Sequence, residues 1–272
     1  MIKSILKGNS TKKDTKMNYL FDLIYLVPLL FIAGVIDGIA GGGGIIALPA
    51  YLLTGMPVHS AYACNKLQSG LGTSASAFKY IKDGYADIKT TLCAIPFTIA
   101  ASMLMTRVVI GLNADVVKLI IAICIPIAAA LMFLKRFLSP KTVKRQELSW
   151  RTVSLSMLCG ALLGTYDALF GPGGGTIAMI LFSILLSYDL RVGNGNGKII
   201  IVASNFTAML NYIISGYMIW HVAIPCAAAN IVGSYLGAAI VIKKGEKVVF
   251  PTMIFVIIML IGQVILNLVT GG

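Results

Sequence analysis

Residues 35–46 read VIDGIAGGGGII and residues 165–177 read TYDALFGPGGGTI. Each stretch carries an aspartate, then a glycine run, then the start of a short apolar segment. Glycine loses more backbone freedom in a helix than any other residue, so a run of it interrupts one. The chain therefore breaks twice, at residues 41–44 and at residues 171–175, where Pro172 is inserted among the glycines. The apolar stretches after the breaks are too short to cross a bilayer. At ~1.5 Å per residue, a dozen residues of helix cover ~18 Å of a hydrocarbon core ~30 Å thick. Each is expected to be a broken or re-entrant helix.

Around these breaks the chain is strongly apolar, with 58% hydrophobic and 12% charged residues and a mean hydropathy of +0.89. That charge is too sparse to cover the surface of a soluble domain, and successive apolar runs mark a helical membrane protein. Backbone polar groups in hydrocarbon must be paired within the segment, which helices achieve and open strands do not. A barrel would alternate apolar and polar residues, and the run MIFVIIMLIGQVILNLV at 253–269 does not. The fold class is all-α integral membrane protein.

Ten segments follow, at roughly 19–40, 44–55, 60–82, 89–110, 115–134, 152–170, 174–188, 196–214, 218–242 and 248–269. A polar tail (1–18), a first repeat (19–134), a basic linker (135–151) and a second repeat (152–272) organise them. Asp37 pairs with Asp167 across the repeat, Lys66 with Lys198, Tyr80 with Tyr212 and Gly84 with Gly216, the last three at a constant spacing of 132 residues. Four pairs in the same order as the glycine runs indicate an internal duplication. Repeats with short, discontinuous segments at corresponding positions point to a transporter site near the membrane midplane.

The net charge of +12 does not indicate nucleic acid, because the basic residues lie at loop ends. They instead set orientation. Placing residues 79–89, 135–151 and 243–247 in the cytoplasm gives each half an odd number of crossings, so two five-segment halves would be inverted with both termini outside. The lysine-rich tail opposes that layout unless translation starts at Met17, which would remove five lysines and Asp14 and take +12 to +8. The alternative keeps the two short segments out of the crossing count. It leaves eight spans in parallel four-span halves, with both termini inside.

Five cysteines, Cys64, Cys93, Cys124, Cys159 and Cys226, stand singly and read as small buried hydrophobes. His59 and His221 have no metal-ligand spacing, so no metal and no cofactor is expected. The stretch GNGNGKI lacks the first glycine and the hydroxyl residue of a phosphate loop. Tyr166-Asp167 matches half of an intramembrane aspartyl protease pair, and the Gly-x-Gly-Asp half is missing.

Lys66 and Lys198, equivalent and beside the breaks, are the candidates for balancing an anion's charge, since an ionisable residue inside a membrane is functional by default. Snorkelling from a segment start is the structural alternative. Asp37 and Asp167 serve either in proton coupling or as structural caps and lysine partners. Glycine breaks free backbone N–H groups at the positive end of the following helix, so Gly42, Gly43, Gly44, Gly173, Gly174 and Gly175 are candidate anion-binding positions. Asn65, Gln68 and Asn205 add amide donors; Asn194, Asn196, Ser69, Ser74, Ser76 and Ser204 supply others or join helices. Arg107 reads as a helix-end anchor.

The stretches AGVIDGIAGGGGIIALPAYLLTGMPVHSAYACNKLQSGLGTSASAFKY (33–80), GTYDALFGPGGGTIAM (164–179) and NGNGKIIIVASNFTAMLNYIISG (194–216) resemble the TauE/SafE sulfite exporter family. The resemblance runs from about residue 25 to 268. It implies a multi-pass carrier of the bacterial inner membrane, usually with about eight spans. The implied cargo is a small sulfur-containing anion such as sulfite, thiosulfate or sulfoacetate. Its expected partners are that anion and the lipid bilayer, with no nucleic acid, and a homo-oligomer is left open. The expectation is a secondary transporter working by alternating access, not an enzyme; an anion channel or an intramembrane enzyme is the alternative. Where the first repeat has Asn65-Lys66, the second has Gly197-Lys198, so the halves need not contribute equally.

Overall fold

The computed structural model describes residues 22–113, 115–117, 119–120, 146–171, 173–244, 247–248 and 251. The polar tail, Met17, Cys124 and most of the fifth segment, the linker and the tenth segment lie outside the described residues. The helices are α1 (Asp22–Ala40), α2 (Gly44–Leu53), α3 (Val58–Lys82), α4 (Ile88–Gly111), α5 (Trp150–Leu169), α6 (Gly174–Leu185), α7 (Leu190–Ile214) and α8 (Trp220–Lys244). Among the described residues all the regular structure of any length is helical.

Local chemistry sets the ends. Asp87 accepts from the Thr90 amide at the start of α4, Ser149 from the Thr152 amide at the start of α5, and Asp189 from the Arg191 amide at the start of α7. Each satisfies one of the donors that a helix leaves unpaired in its first turn. Gly84 and Gly216, at φ of +76° and +77°, follow the ends of α3 and α7 in the left-handed conformation that closes a helix without a Cβ penalty.

Five helices, α1, α4, α5, α7 and α8, are long and apolar enough to cross a membrane. Outward residues such as Leu29 and Ile32 of α1, Leu92 and Leu104 of α4, and Ile224 and Val232 of α8 are exposed and apolar, as a lipid-facing surface requires. α3 has 25 residues, or ~37 Å at the usual helical rise, but its polar residues exclude it from that group. Those residues are buried: Asn65, Lys66, Gln68, Thr73 and Ser76 are each at most 2% exposed.

α3 and α7 run antiparallel through the centre. His59 at the start of α3 lies 5.0 Å from Tyr217, just past α7, while Arg191 at the start of α7 sits 4.8 Å above the ring of Tyr85, just past α3. The outer helices cross on small residues. A Cβ on Gly34 would stand 2.6 Å from the Asn230 carbonyl oxygen, and one on Gly237 2.1 Å from that of Val35, so α1 and α8 touch backbone to backbone. α5 lies on α4 the same way, with Gly164 against the Thr98 carbonyl oxygen at 2.5 Å. Close approach through small residues is the main means of holding helices together in lipid, where burial of apolar surface drives little.

Helix bounds repeat along the chain. α3 (58–82) and α7 (190–214) have 25 residues each, and α4 and α8 start at residues 88 and 220; the spacing is 132 in every case. Three sequence expectations are corrected. The eighth segment starts at residue 190, not 196, so GNGNG lies inside α7. Its glycines let α7 press on other backbone: a Cβ on Gly195 would meet the Tyr85 carbonyl oxygen at 1.9 Å, and one on Gly193 that of Met179 at 3.0 Å. Trp150 and Arg151, assigned to the linker, belong to α5, and the seventh segment ends at Leu185.

Candidate functional site

The two glycine runs meet. Gly41, after α1, has φ +78°; Gly171 and Gly173, between α5 and α6, have φ +74° and +78°. Only glycine holds these angles without strain. A Cβ on Gly41 would stand 2.4 Å from the carbonyl carbon of Gly175, and Thr176 Oγ1 donates to the Ala40 carbonyl at 2.5 Å. The start of α6 is thus packed on the end of α1. Gly43 lies against the Ala33 carbonyl oxygen and the Asp37 Cβ, and Gly174 stands beside the Asp167 carboxylate. Gly42 accepts from the Ile45 amide in the first turn of α2, whose opening residue is Gly44. Both short helices direct the positive end of their backbone dipole toward these breaks.

Beside the breaks lie two ion pairs that cross between the ends of the chain. Lys66, on α3, donates from Nζ to Asp167 Oδ2 at 2.9 Å, to the Asp167 carbonyl oxygen, and to Asn205 Oδ1 at 3.1 Å. Lys198, on α7, donates to Asp37 Oδ2 at 2.6 Å and to the Asp37 carbonyl oxygen. Thr73 adds a hydrogen bond to Asp37 Oδ2 at 3.2 Å. Both lysine side chains are 1% exposed, against 3% for Asp167 and 13% for Asp37. Each lysine is the ninth residue of a 25-residue helix, so neither snorkels from a helix end as one sequence reading allowed. The aspartates are found as lysine partners. Asp167 lies in the last turn of α5, where a carbonyl lacks an intrahelical donor and is open to the ammonium, whereas the Asp37 carbonyl also accepts from the Gly41 amide at 2.8 Å.

The remaining candidates separate into three groups. Asn65 and Gln68, each 2% exposed, make no hydrogen bond among the described residues. Asn194 donates to the Ile39 carbonyl at 3.1 Å and to the Tyr80 hydroxyl at 2.7 Å, and Asn196 accepts from the Asp87 amide at 2.7 Å, so both join elements. Ser204 pairs with Ser102 across α7 and α4, Ser74 and Ser76 bond back to their own helix, and Ser69 faces the Asn205 amide at 3.5 Å. Arg107 is exposed on α4, away from the breaks. His59 stacks on Tyr217, and His221 is exposed. Among the described residues no three His, Cys, Asp or Glu side chains gather as a metal site.

Several participants carry no sequence signal of their own. Tyr62 donates to the Leu169 carbonyl at 3.2 Å, and Asn194 to that of Ile39. Each therefore fastens the helix end before a break to the opposite central helix. Tyr80 donates to the Gly38 carbonyl at 3.2 Å. In the sequence Tyr80 is only a repeat marker, and Tyr62 and Thr73 do not stand out at all.

The sequence model for "Sulfite exporter TauE/SafE" matches residues 26–264. A "Probable membrane transporter protein" of Haemophilus influenzae is 29% identical over 86% of this chain and 91% of its own length. The "Probable membrane transporter protein YfcA" of Escherichia coli is 29% identical over 87% of this chain and 86% of its own. YdhB of Bacillus subtilis, named in the same words, is 21% identical over 85% of this chain and 94% of its own length. No solved structure matches the chain. With a match over most of its length and several apolar helices of spanning length, this multi-pass membrane protein belongs to the TauE/SafE family of membrane transporters.

Proposed function

We propose that the chain is a secondary transporter that exports small sulfur-containing anions (sulfite, thiosulfate or a sulfonate such as sulfoacetate) across the bacterial inner membrane by alternating access. The observation that carries this reading is the crossed arrangement of Lys66 with Asp167 and Lys198 with Asp37 beside two facing glycine breaks. Buried ammonium groups, helix starts aimed at the breaks and amide side chains make an environment that favours an oxyanion. Each pair is neutral as it stands. An anion entering next to Lys66 or Lys198 competes with the aspartate for the ammonium, so binding loosens the link that the pair makes between elements. Loss of a single member of a buried pair costs roughly 3–5 kcal/mol, enough to couple substrate binding to a rearrangement.

The two halves, residues 19–134 and 152–272, are read as inverted repeats. The antiparallel course of α3 and α7, with their equal lengths and constant spacing, supports inversion over the parallel arrangement. In an inverted repeat the same structure presented from opposite sides gives two equivalent open states. For an anion leaving an inside-negative cell, the membrane potential contributes about 2.3 kcal/mol per charge per 100 mV, so export proceeds without a second energy source. No cofactor and no nucleic acid enters the cycle; the partners are the anion and the lipid.

Flux of labelled sulfite, thiosulfate and sulfoacetate into proteoliposomes tests the reading. Saturable flux of at least one, lost in the Lys66→Ala/Lys198→Ala double variant, is the expected result. Undiminished flux in that variant refutes a role for the lysines, and flux that never saturates favours a channel.

A further inference from the structure

The two breaks are not equivalent. We propose that the oxyanion binds at the second break only, against the unpartnered amides of Asn65 and Gln68 beside Lys66, while Lys198–Asp37 at the first break is a structural lock. This rests on the reading of the chain as an anion transporter.

The first observation is the amides themselves. Asn65 and Gln68 lie one helical turn apart on α3, on either side of Lys66 in sequence, and both are 2% exposed. Neither side chain makes a hydrogen bond among the described residues, and the fully buried atoms left without a partner are the oxygens Asn65 Oδ1 and Gln68 Oε1. A buried amide without a partner typically costs ~1–3 kcal/mol, a cost that a ligand bonded to both side chains would offset. The amide oxygen and nitrogen can exchange places by a half turn, so each side chain offers two N–H donors wherever the acceptor sits. A sulfur oxyanion, with several acceptor oxygens on one centre, suits such a pair.

The second observation is space. A Cβ placed on Gly171 would make only ordinary contacts, with Lys66 Nζ at 3.5 Å and Asn65 Nδ2 at 3.7 Å, so this glycine lies directly against the polar cluster. At the first break, Gly41 is pressed on Gly175, with 2.4 Å for the same measure. Gly41, which follows Asp37 as Gly171 follows Asp167, thus lies on backbone and not on the polar groups of its lysine, and the Lys198 ammonium spends two hydrogens, both on Asp37. The extra residue in the second run, Pro172, is a further difference between the breaks.

The third observation is the lining. With the 132-residue spacing, Asn65 corresponds to Gly197, Gln68 to Ile200 and Ser69 to Ile201. At these three positions Lys198 has glycine or isoleucine where Lys66 has amide and hydroxyl side chains, although Asn194 and Asn196 lie on the preceding turn of the same helix. The two remaining polar partners are also unequal: Thr73 is bonded to Asp37, whereas its counterpart Asn205 accepts from Lys66 itself. Asn205 is the neutral side-chain acceptor among the ammonium's three contacts, and an anion displaces it at less cost than the Asp167 carboxylate.

Kinetics of labelled sulfite, thiosulfate and sulfoacetate in proteoliposomes containing the full chain test the asymmetry. For the transported anion, Asn65→Ala and Gln68→Ala each raise KM at least tenfold with kcat within threefold, while Thr73→Val changes KM less than twofold. The same anion raises the Tm of the detergent-solubilised wild type and of Thr73→Val, but not of Gln68→Ala; this keeps the proposal testable where a variant fails to transport. An unchanged KM and an intact Tm rise in both amide variants overturn the one-sided site and leave the transport reading standing. An equal loss with Thr73→Val does the same. Wild-type protein that neither carries nor is stabilised by any of the three anions overturns both.

Discussion

Gly41 and Gly175 meet backbone to backbone, 134 positions apart in the chain, and this contact holds the two breaks together. A Cβ on Gly175 would stand 2.7 Å from the Gly41 Cα, and no side chain can move aside to relieve it. Gly175→Ala is therefore expected to destabilise by about 2–4 kcal/mol, at the upper end of overpacking costs. Gly84→Ala is the control: the site is open, and only the positive φ is strained, for roughly 1–2 kcal/mol. Thermal unfolding of both variants in detergent, with a larger Tm loss for Gly175→Ala, checks the difference. Equal losses would mean that the α1–α6 contact yields easily.

The crossed pair Lys198–Asp37 makes a second prediction about stability. Removing the ammonium alone leaves a carboxylate that, among the described residues, only Thr73 serves. Lys198→Met is expected to cost about 3–5 kcal/mol, and Lys198→Met/Asp37→Leu to recover most of it, because the desolvation penalty leaves with the charges. A double-mutant cycle on Tm and on the yield of folded protein measures the coupling. Additive losses would show that the two side chains do not act as a pair.

Those features differ in how far the sequence exposed them. The breaks were legible because a glycine run acts locally, and Lys66 and Lys198 because the duplication repeats them. The partners were not, since Lys66 reaches Asp167 across 101 positions and nothing near either residue encodes the crossing. Ordinary propensity misplaced the start of α7: GNGNG is a poor helix by composition, yet Gly195 allows the helix to lie on the Tyr85 backbone, and tertiary contact outweighs propensity. Gly34 and Gly38 with Gly233 and Gly237 form the α1–α8 crossing, which the structure and not the sequence reading identifies.

Asp87 shows a hub of the kind no local pattern marks. Its carboxylate caps α4 and accepts from the Gln146 amide at 3.1 Å and the Tyr188 hydroxyl at 2.7 Å, while its own amide donates to Asn196. Burial pushes the Tyr188 phenol above its usual range, so it remains a donor throughout the physiological pH range. Tyr188→Phe removes one charge-assisted bond and is expected to cost about 1.5–3 kcal/mol. Asp87→Ala loses all the carboxylate's bonds and should cost more than Tyr188→Phe. Tm values of the two single variants and the double check this: the double should be no worse than Asp87→Ala. A double variant that is clearly worse would place the Tyr188 hydroxyl's contribution with Thr90, its other contact at 2.9 Å.

The inverted arrangement can be tested at two equivalent, exposed positions. Lys82 ends α3 and Ile214 ends α7, 132 residues apart, and both side chains are exposed. Inversion puts the ends of these antiparallel helices on opposite faces of the membrane; parallel halves would put them on the same face. The lysine-rich end, with Lys79 and Lys82, belongs in the cytoplasm by the positive-inside rule, and the apolar end at Ile214 belongs outside. Of the native cysteines among the described residues, Cys64, Cys159 and Cys226 are buried and Cys93 is partly so; replacing Cys93 and Cys124 by serine gives a quiet background. In intact cells, Ile214→Cys should then react with a membrane-impermeant maleimide, and Lys82→Cys only after permeabilisation. Labelling of both positions from the same side would refute inversion and restore the eight-span, parallel layout.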